Sequence, residues 1–217
     1  MLVGERMSRP VISVPPKTRI QDALNLMKRE GIRRMPVIDQ QGRLVGIVSE
    51  RDLLHASPSD ATSLSIWELN YLLSKITVDE IMTRQVSTIT EDTPVEVAAR
   101  VMADQKIGGM PVMREAEVVG MITETDLFKI FLEILGARYA GVRLTATMPN
   151  IPGELAHITT AIYENGGNII SLSTAIGEST ATGLVTIKVE GISLDDLKEL
   201  VEPLVEKIVD IRTTEAA

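Results

Sequence analysis

The sequence predicts a mixed α/β protein, in which two β-α-β-β-α repeats pack about a pseudo-twofold axis and a separate β-α-β-β-α-β unit follows. Three observations predict it. The 217 residues are 44% hydrophobic but only 3% aromatic, so the interior is built from Val, Ile, Leu, Met and Ala, which suits layered packing of helices on sheets. A block of sequence recurs seventy-five residues further on, and the hydrophobic pattern changes at Val142. The chain is longer than one average domain of roughly 100–150 residues. The expected division is a repeat pair over 1–136 (repeat one 1–56, a helical insert 57–76, repeat two 77–136) and a C-terminal unit over 141–214.

The repeat is read residue by residue. Met7-Ser8-Arg9 returns as Met82-Thr83-Arg84, and the same offset relates Val3 to Val78, Thr18 to Thr93, Ala23 to Ala98, Met27 to Met102 and Ile32 to Ile107. It carries through to Met35-Pro36-Val37 against Met110-Pro111-Val112. One residue is lost in the turn after Asp39. From there Gly46-Ile47-Val48-Ser49-Glu50-Arg51-Asp52-Leu53 matches Gly120-Met121-Ile122-Thr123-Glu124-Thr125-Asp126-Leu127 at an offset of seventy-four.

Each copy begins with a short strand, Ile12 to Val14 or Ser87 to Ile89. A helix follows with apolar residues at helical spacing: Ile20, Ala23, Leu24 and Met27 in the first copy, Val95, Ala98, Ala99 and Met102 in the second. Thr18-x-x-Gln21 and Thr93-Pro94-Val95-Glu96 have the form of capping boxes, the latter with Pro at the first helical position. Two strands come next, around Pro36 to Ile38 and Leu44 to Ser49, with Gly42 in the turn and a second helix opening near Glu50. One such unit has too small a core to stand alone, so the copies are expected to pack sheet against sheet and to form two related clefts. In the insert, Ser65-x-x-Glu68 opens a helix carrying Trp67, Tyr71 and Leu72, read as core packing or a homodimer contact.

In the last third, Val142 to Thr147 alternates as a strand and Pro149-Asn150-Ile151-Pro152-Gly153 breaks it. A helix with Leu155, Ile158, Ile162 and Tyr163 on its apolar side ends at Asn165-Gly166-Gly167. Strands are expected near Ile169 to Ile176 and Gly183 to Val189. Ser193-x-x-Asp196 then opens a helix with Leu197, Leu200, Val201 and Leu204, whose end Pro203 disturbs. Val209 to Thr213 reads as a final edge strand.

Composition narrows the function classes. A net charge of −8 argues against a nucleic-acid surface, and the absence of cysteine excludes disulfides and thiolate metal sites. Apolar runs are far shorter than the roughly 20 residues that cross a bilayer, and the N-terminus lacks a signal-peptide core, so a cytoplasmic protein without membrane contact is expected. His55 and His157 are isolated, with no second ligand at metal spacing and no nucleophile or P-loop motif in the chain. The expectation is a non-enzyme that requires no metal.

The repeated G-h-h-[ST]-x-x-D ending, preceded by an x-Met-Pro-Val strand, resembles the CBS domain, and the match covers about Val3 to Leu135. The resemblance implies an adenine nucleotide (AMP, ADP or ATP) as ligand. It assigns a phosphate to Ser49 and Thr123, ribose hydroxyls to Asp52 and Asp126, and adenine to backbone near Ile12, Ser13, Met35 and Pro36, and near Thr88, Gly109, Met110 and Pro111. The residues agree physically. A hydroxyl that ends a strand before a helix gathers donors and the helix dipole at one spot, and an Asp one turn on can accept from vicinal hydroxyls. For one copy alone, N-capping explains the same pair. Arg33, Arg34 and Arg51 stand where the second copy has Gly108, Gly109 and Thr125, so unequal clefts are expected, the arginine-bearing one preferring the more phosphorylated ligand. Solvated surface charge is the alternative.

The C-terminal unit resembles the ACT domain, a ferredoxin-like βαββαβ fold, through Asn150-Ile151-Pro152-Gly153-Glu154-Leu155 and Gly167-Asn168-Ile169-Ile170. The resemblance implies pairing of sheets and an amino acid or similar effector at Asn150, Ile151, Pro152, Gly153, Leu155, Gly167, Asn168 and Ile169. The alternative is that the glycines only make turns and the domain only dimerises. Two CBS units and one ACT unit together resemble the acetoin-utilisation (AcuB-like) regulatory proteins, which implies a homodimer, a role in acetoin or acetate metabolism and a regulated protein that the sequence does not identify. Two functions follow: a sensor whose nucleotide occupancy changes the angle between repeats, or a ligand-free structural adaptor that holds a partner protein. The paired Ser49/Asp52 and Thr123/Asp126 favour the sensor.

Overall fold

The computed structural model describes residues 1–56 and 75–216. Trp67, Tyr71 and the Ser65 capping box lie outside the described residues. The chain forms two compact units, Met1–Leu127 and Phe128–Ala217.

In the first unit, repeat one holds α1 (Val3–Arg6), α2 (Ile20–Glu30), β1 (Arg34–Ile38), β2 (Leu44–Ser49) and α3 (Glu50–His55). Repeat two holds α4 (Val78–Ile81), β3 (Ile89–Thr90), α5 (Val95–Gln105), β4 (Gly109–Arg114), β5 (Glu117–Thr123) and the first turn of α6 (Glu124–Ile134), whose remainder is counted with the second unit. Both hairpins are antiparallel, with Met35 opposite Val48 and Met110 opposite Ile122. The apolar stripe of α2 is buried at every expected position, Ile20, Ala23, Leu24 and Met27. In α5, Val95, Ala98 and Met102 are buried and Ala99 is only half-buried.

The first strand of each copy is shorter than its pattern predicts. Repeat one keeps a single parallel bridge, Val14 to Val37, and repeat two only Ile89–Thr90 against β4. In repeat one Pro15 and Pro16 follow at once, and a residue without an N–H cannot extend the ladder. The expected capping boxes are corrected as well. The N-caps are Arg19 and Pro94, neither making a side-chain cap bond. The first helical N–H of α2 goes instead to the Ile76 carbonyl at 3.2 Å, and that of α5 to the Met1 carbonyl at 3.2 Å. A backbone acceptor from elsewhere in the chain thus replaces the threonine hydroxyl.

Those carbonyls belong to arms that the repeats exchange. The arm of repeat one, residues 1–9, lies on repeat two: Val3 N donates to Thr93 O and Gly4 N to Glu91 O, both at 2.8 Å, while Ser8 and Met121 exchange backbone bonds at 2.8 and 3.2 Å. The arm of repeat two, residues 76–84, lies on repeat one by the equivalent bonds. Val78 N donates to Thr18 O, Asp79 N to Pro16 O, and Thr83 and Ile47 bond each other both ways, all at 2.9 Å. Val78 and Met82 accordingly belong to the core of repeat one, with Val14, Met27, Met35, Val37, Val48 and Leu53. Gly46 and Gly120 make this docking close. A Cβ there would stand 2.4 Å from the Met82 sulfur and 2.2 Å from the Met7 sulfur respectively, so each glycine seats the methionine of the opposite copy.

Charge fastens both arms. Lys17 Nζ bonds Asp79 at 2.8 Å, and Glu91 takes Arg9 at 3.3 Å and Arg114 at 2.6 Å. Donation from Lys17, then from the Thr77 hydroxyl, holds the Asp79 carboxyl below the usual range. The Arg114 hydrogen bond, aided by the charges of Arg114 and Arg9, does the same for Glu91.

The second unit contains β6 (Gly141–Pro149), α7 (Glu154–Glu164), β7 (Asn168–Ile176), β8 (Thr182–Glu190), α8 (Leu194–Val201), a 3-10 turn (Glu202–Leu204) and β9 (Lys207–Thr214). Its antiparallel sheet has the order β7-β8-β6-β9, so β9 is the expected edge strand. One sheet face carries Leu144, Ala146, Val185, Ile187 and Val189 against Ile158, Ile162, Leu197 and Val201 of the helices. Tyr163 is not on that side: it is 78% exposed, because it lies about 100° round the helix from Ile162. Ser193 caps α8, accepting from Asp196 N at 3.1 Å. Pro203 falls in the 3-10 turn, where the α-helix has already ended. On the other sheet face Lys188, 4% exposed, donates to the Gly136 carbonyl at 2.8 Å.

Candidate functional site

The strand-to-helix corner of each repeat is built by the same four-residue device. Ser49 leaves β2 with φ −108° and ψ 160°, an N-cap conformation, and its Oγ accepts from Asp52 N at 3.3 Å. Asp52 Oδ2 returns the bond, accepting from Ser49 N at 2.8 Å and from Ser49 Oγ at 2.7 Å. In repeat two, Asp126 Oδ2 accepts from Thr123 N at 3.0 Å and Thr123 Oγ1 at 2.7 Å. The motif is therefore a reciprocal capping box that uses one carboxylate oxygen. The other oxygen remains: Asp126 Oδ1 is approached by Ser8 Oγ of the arm at 3.5 Å, the carboxylate being 7% exposed.

The corner's backbone donors are less available than the strand-then-helix pattern suggests. Glu50 N already donates to Arg33 O at 2.9 Å, and Glu124 N to Gly108 O at 3.3 Å. Side chains therefore carry more of any attraction for an anion.

Those side chains line a cleft of about 290 Å³ that both repeats build. Repeat one supplies Arg34, Ile47, Ser49 and Asp52; repeat two supplies Thr83 and Gln85 from its arm region, Val86 and Ser87, and then Lys106 to Gly109. The Arg34 guanidinium reaches across the pair and lies over Gly108, where a Cβ would stand 2.2 Å from its terminal nitrogen and 2.7 Å from Glu124 Oε2. A glycine at 108 is thus what gives the guanidinium its seat.

Of the residues assigned from sequence, Arg34, Ser49, Asp52 and Gly109 come together in this cleft. Arg33 is exposed and Arg51 donates to His55 Nε2 at 3.3 Å, on a separate hollow lined by Glu50, Arg51, Leu54 and His55. The three arginines do not form one cluster, because Arg33 stands exposed just before β1 and Arg51 projects from the exposed face of α3. Met35, Pro36, Met110 and Pro111 are buried in β1 and β4, Ile12 and Ser13 are half-buried, and Thr88 is exposed. At the equivalent corner of repeat two, Thr123 pairs with Asp126, and Asp126 faces the arm serine, Ser8. Sequence reasoning missed Thr83, Gln85, Ser87, Lys106 and Gly108. The Gly31/Lys106 difference between the copies was the available signal for Lys106; the arm residues carried none, since a repeat shows equivalence and not which copy a segment docks on.

In the second unit the effector candidates are engaged internally. Asn150 Nδ2 donates to Thr180 O at 2.9 Å, and Asn168 Nδ2 to Glu190 Oε1 at 2.6 Å. Gly153 is the N-cap of α7 at φ +103°, followed by Leu155, 36% exposed; Ile151 is 59% exposed, Pro152 is exposed and Ile169 packs on the core. Gly167 does not leave room for an incoming backbone, because a Cβ there would stand 2.7 Å from Ile162 Cγ2 and 2.9 Å from Val189 Cγ1. Among the described residues no group of His, Asp and Glu is arranged to hold a metal, and no helix is long and apolar enough to cross a membrane.

Comparison with known proteins agrees with this architecture. The profile of the CBS domain matches residues 3–59 and 78–133, and that of the TTHA0829-like ACT domain matches residues 140–212. The CBS domain pair of MJ0100, solved with 5′-methylthioadenosine and S-adenosyl-L-methionine, is 32% identical with a TM-score of 0.51, covering 60% of this chain and 95% of that one. A Vibrio cholerae protein named for acetoin utilization (AcuB) is 29% identical with a TM-score of 0.53, covering 63% and 93%. CBSX2, known from Arabidopsis thaliana and solved with AMP, is 30% identical with a TM-score of 0.51, covering 61% and 97%. The chain spans only 47% and 23% of the length of the first two curated relatives it matches, both from Methanocaldococcus jannaschii. With two matched CBS units over most of its first unit and an ACT domain after them, this chain belongs to the CBS domain family.

Proposed function

We propose that the chain is a regulatory sensor that binds an adenine nucleotide in the clefts of its CBS pair and does no chemistry on it. The observation that carries the reading is the cleft itself, where an Arg34 guanidinium stands opposite a Ser49/Asp52 corner with one carboxylate oxygen to spare. Asp52 accepts from ribose hydroxyls, Arg34 meets phosphate, and the Ser49 hydroxyl turns its proton from Asp52 toward the ligand. Occupancy changes the relation of the two repeats, which requires a ligand with different affinities for the two arrangements. The relatives solved with AMP and with S-adenosyl-L-methionine support an adenosyl ligand. The resemblance to the AcuB protein supports acetoin or acetate metabolism as the regulated pathway. A homodimer and an amino acid effector at the Asn150 to Leu155 turn of the ACT domain complete the proposal.

The second reading is a ligand-free adaptor, and the capping boxes favour it, because Ser49/Asp52 and Thr123/Asp126 are each satisfied without a ligand. Calorimetric titration of nucleotide-stripped protein with AMP, ADP, ATP and S-adenosyl-L-methionine separates the two. Saturable binding that an Asp52→Ala/Asp126→Ala variant loses is the expected result. Absence of heat with all four ligands overturns the sensor.

A further inference from the structure

Gly31 and Lys106 occupy the same place in the two repeats, the residue that closes the first long helix. Both are left-handed, Gly31 at φ 64° and ψ 30°, Lys106 at φ 55° and ψ 41°. Both donate their N–H to the equivalent pair of carbonyls, Lys28 and Met27 in one case, Ala103 and Met102 in the other. Helix closure therefore asks for the same backbone twice, and glycine meets it without steric cost while lysine does not. Among the described residues the other non-glycine one at positive φ, Glu115, lies in the β4–β5 hairpin turn and lines neither hollow described above. Lys106 lines the cleft.

Charge gives the strained lysine a purpose. Arg34 from one repeat and Lys106 from the other line the same cleft, and among the described residues neither has an ion pair. The carboxylate lining the cleft, Asp52, has one oxygen tied to its own Ser49. The Glu124 carboxylate lies beside the Arg34 guanidinium over Gly108 without pairing with it, and the two unpaired cations, on a protein of net charge −8, make a local seat for an anion of more than one charge.

Resting on the nucleotide reading above, we infer that Lys106 is a specificity-determining residue of the Ser49/Asp52 cleft, a cationic contact for the outer phosphates of a nucleoside polyphosphate. Arg34 holds the phosphate nearest the sugar and Lys106 those beyond it, so the residue sets preference by phosphate number. The cost of its backbone conformation is kept in exchange for that contact.

The test uses the full chain with Lys106→Gly, which copies repeat one, and Lys106→Met, which keeps the backbone strain and removes the charge. Each is titrated with AMP and ATP and melted without ligand. A charge-assisted contact at an exposed rim corresponds to about a tenfold change in affinity. The expected result is that both variants weaken ATP by about that factor while AMP changes little, and that Lys106→Gly alone raises the melting midpoint. If the wild type prefers ATP and both variants keep that preference, Lys106 has no such role and the nucleotide reading stands. If the wild type binds neither nucleotide, both are overturned.

Discussion

The two CBS repeats share a plan down to single hydrogen bonds, yet they bring different side chains to the clefts. Each backbone bond that docks one arm has its counterpart in the other, Val3/Thr93 with Val78/Thr18 and Ser8/Met121 with Thr83/Ile47. The differences include Arg33-Arg34 against Gly108-Gly109 and Gly31 against Lys106, and of these residues Arg34, Lys106, Gly108 and Gly109 line the cleft. This duplicated unit holds constant what closes its core and varies what lines its cleft. Because the cleft draws on both repeats, a change in one copy alters a site that the other copy completes.

The comparison is broken most severely by removing an arm. Deleting residues 1–8 takes Val3 and Met7, both buried, away from repeat two. Burying such side chains contributes about 1.5–3 kcal/mol each, so a loss on the order of 3–6 kcal/mol is expected, read by chemical denaturation. The damage should fall on repeat two although the deletion is in repeat one; hydrogen exchange resolved by segment checks this, and protection lost first over α2 would contradict the exchanged arms. A smaller effect sharpens the cleft asymmetry. Gly108→Ala places a methyl against the Arg34 guanidinium, the free end of a flexible side chain, so stability should change little while nucleotide affinity falls about tenfold. Calorimetry beside a thermal melt reads both; a melt that collapses would show that Gly108 serves the core. The smallest effect comes from pH. Asp79 and Glu91 have folded-state pKa values below their unfolded ones, so the stability they contribute is complete above the unfolded value of about 4 and is lost as pH falls through the folded value. The melting midpoint should be unaffected by these two groups between pH 5 and 8 and decline below about 4, less so in an Asp79→Asn/Glu91→Gln variant.

Much of the scaffold was legible because burial is periodic. Ile20, Ala23, Leu24 and Met27 were identified by spacing alone, and β2 runs over the expected Leu44–Ser49. Ser193 capped its helix as written, whereas Thr18 and Thr93 did not, although the pattern is the same. The difference is tertiary: a distant carbonyl reached the helix start before the local hydroxyl could. The cleft was legible at Ser49 and Asp52, whose pairing is local, and at Arg34. It was illegible at Thr83, which enters through the exchanged arm, and at Gln85 and Ser87 just beyond it, and misleading at Arg33 and Arg51, where nearness in sequence did not bring side chains to one side.

The exchange of arms has a consequence for how such a chain could have arisen. A fragment carrying one repeat has an arm with nowhere of its own to dock and a helix start and hairpin that wait for another's arm. Two identical fragments would complete each other reciprocally, each closing the other's core with its own first residues. Between separate fragments that partnership would depend on concentration; joining the copies in one chain makes it permanent.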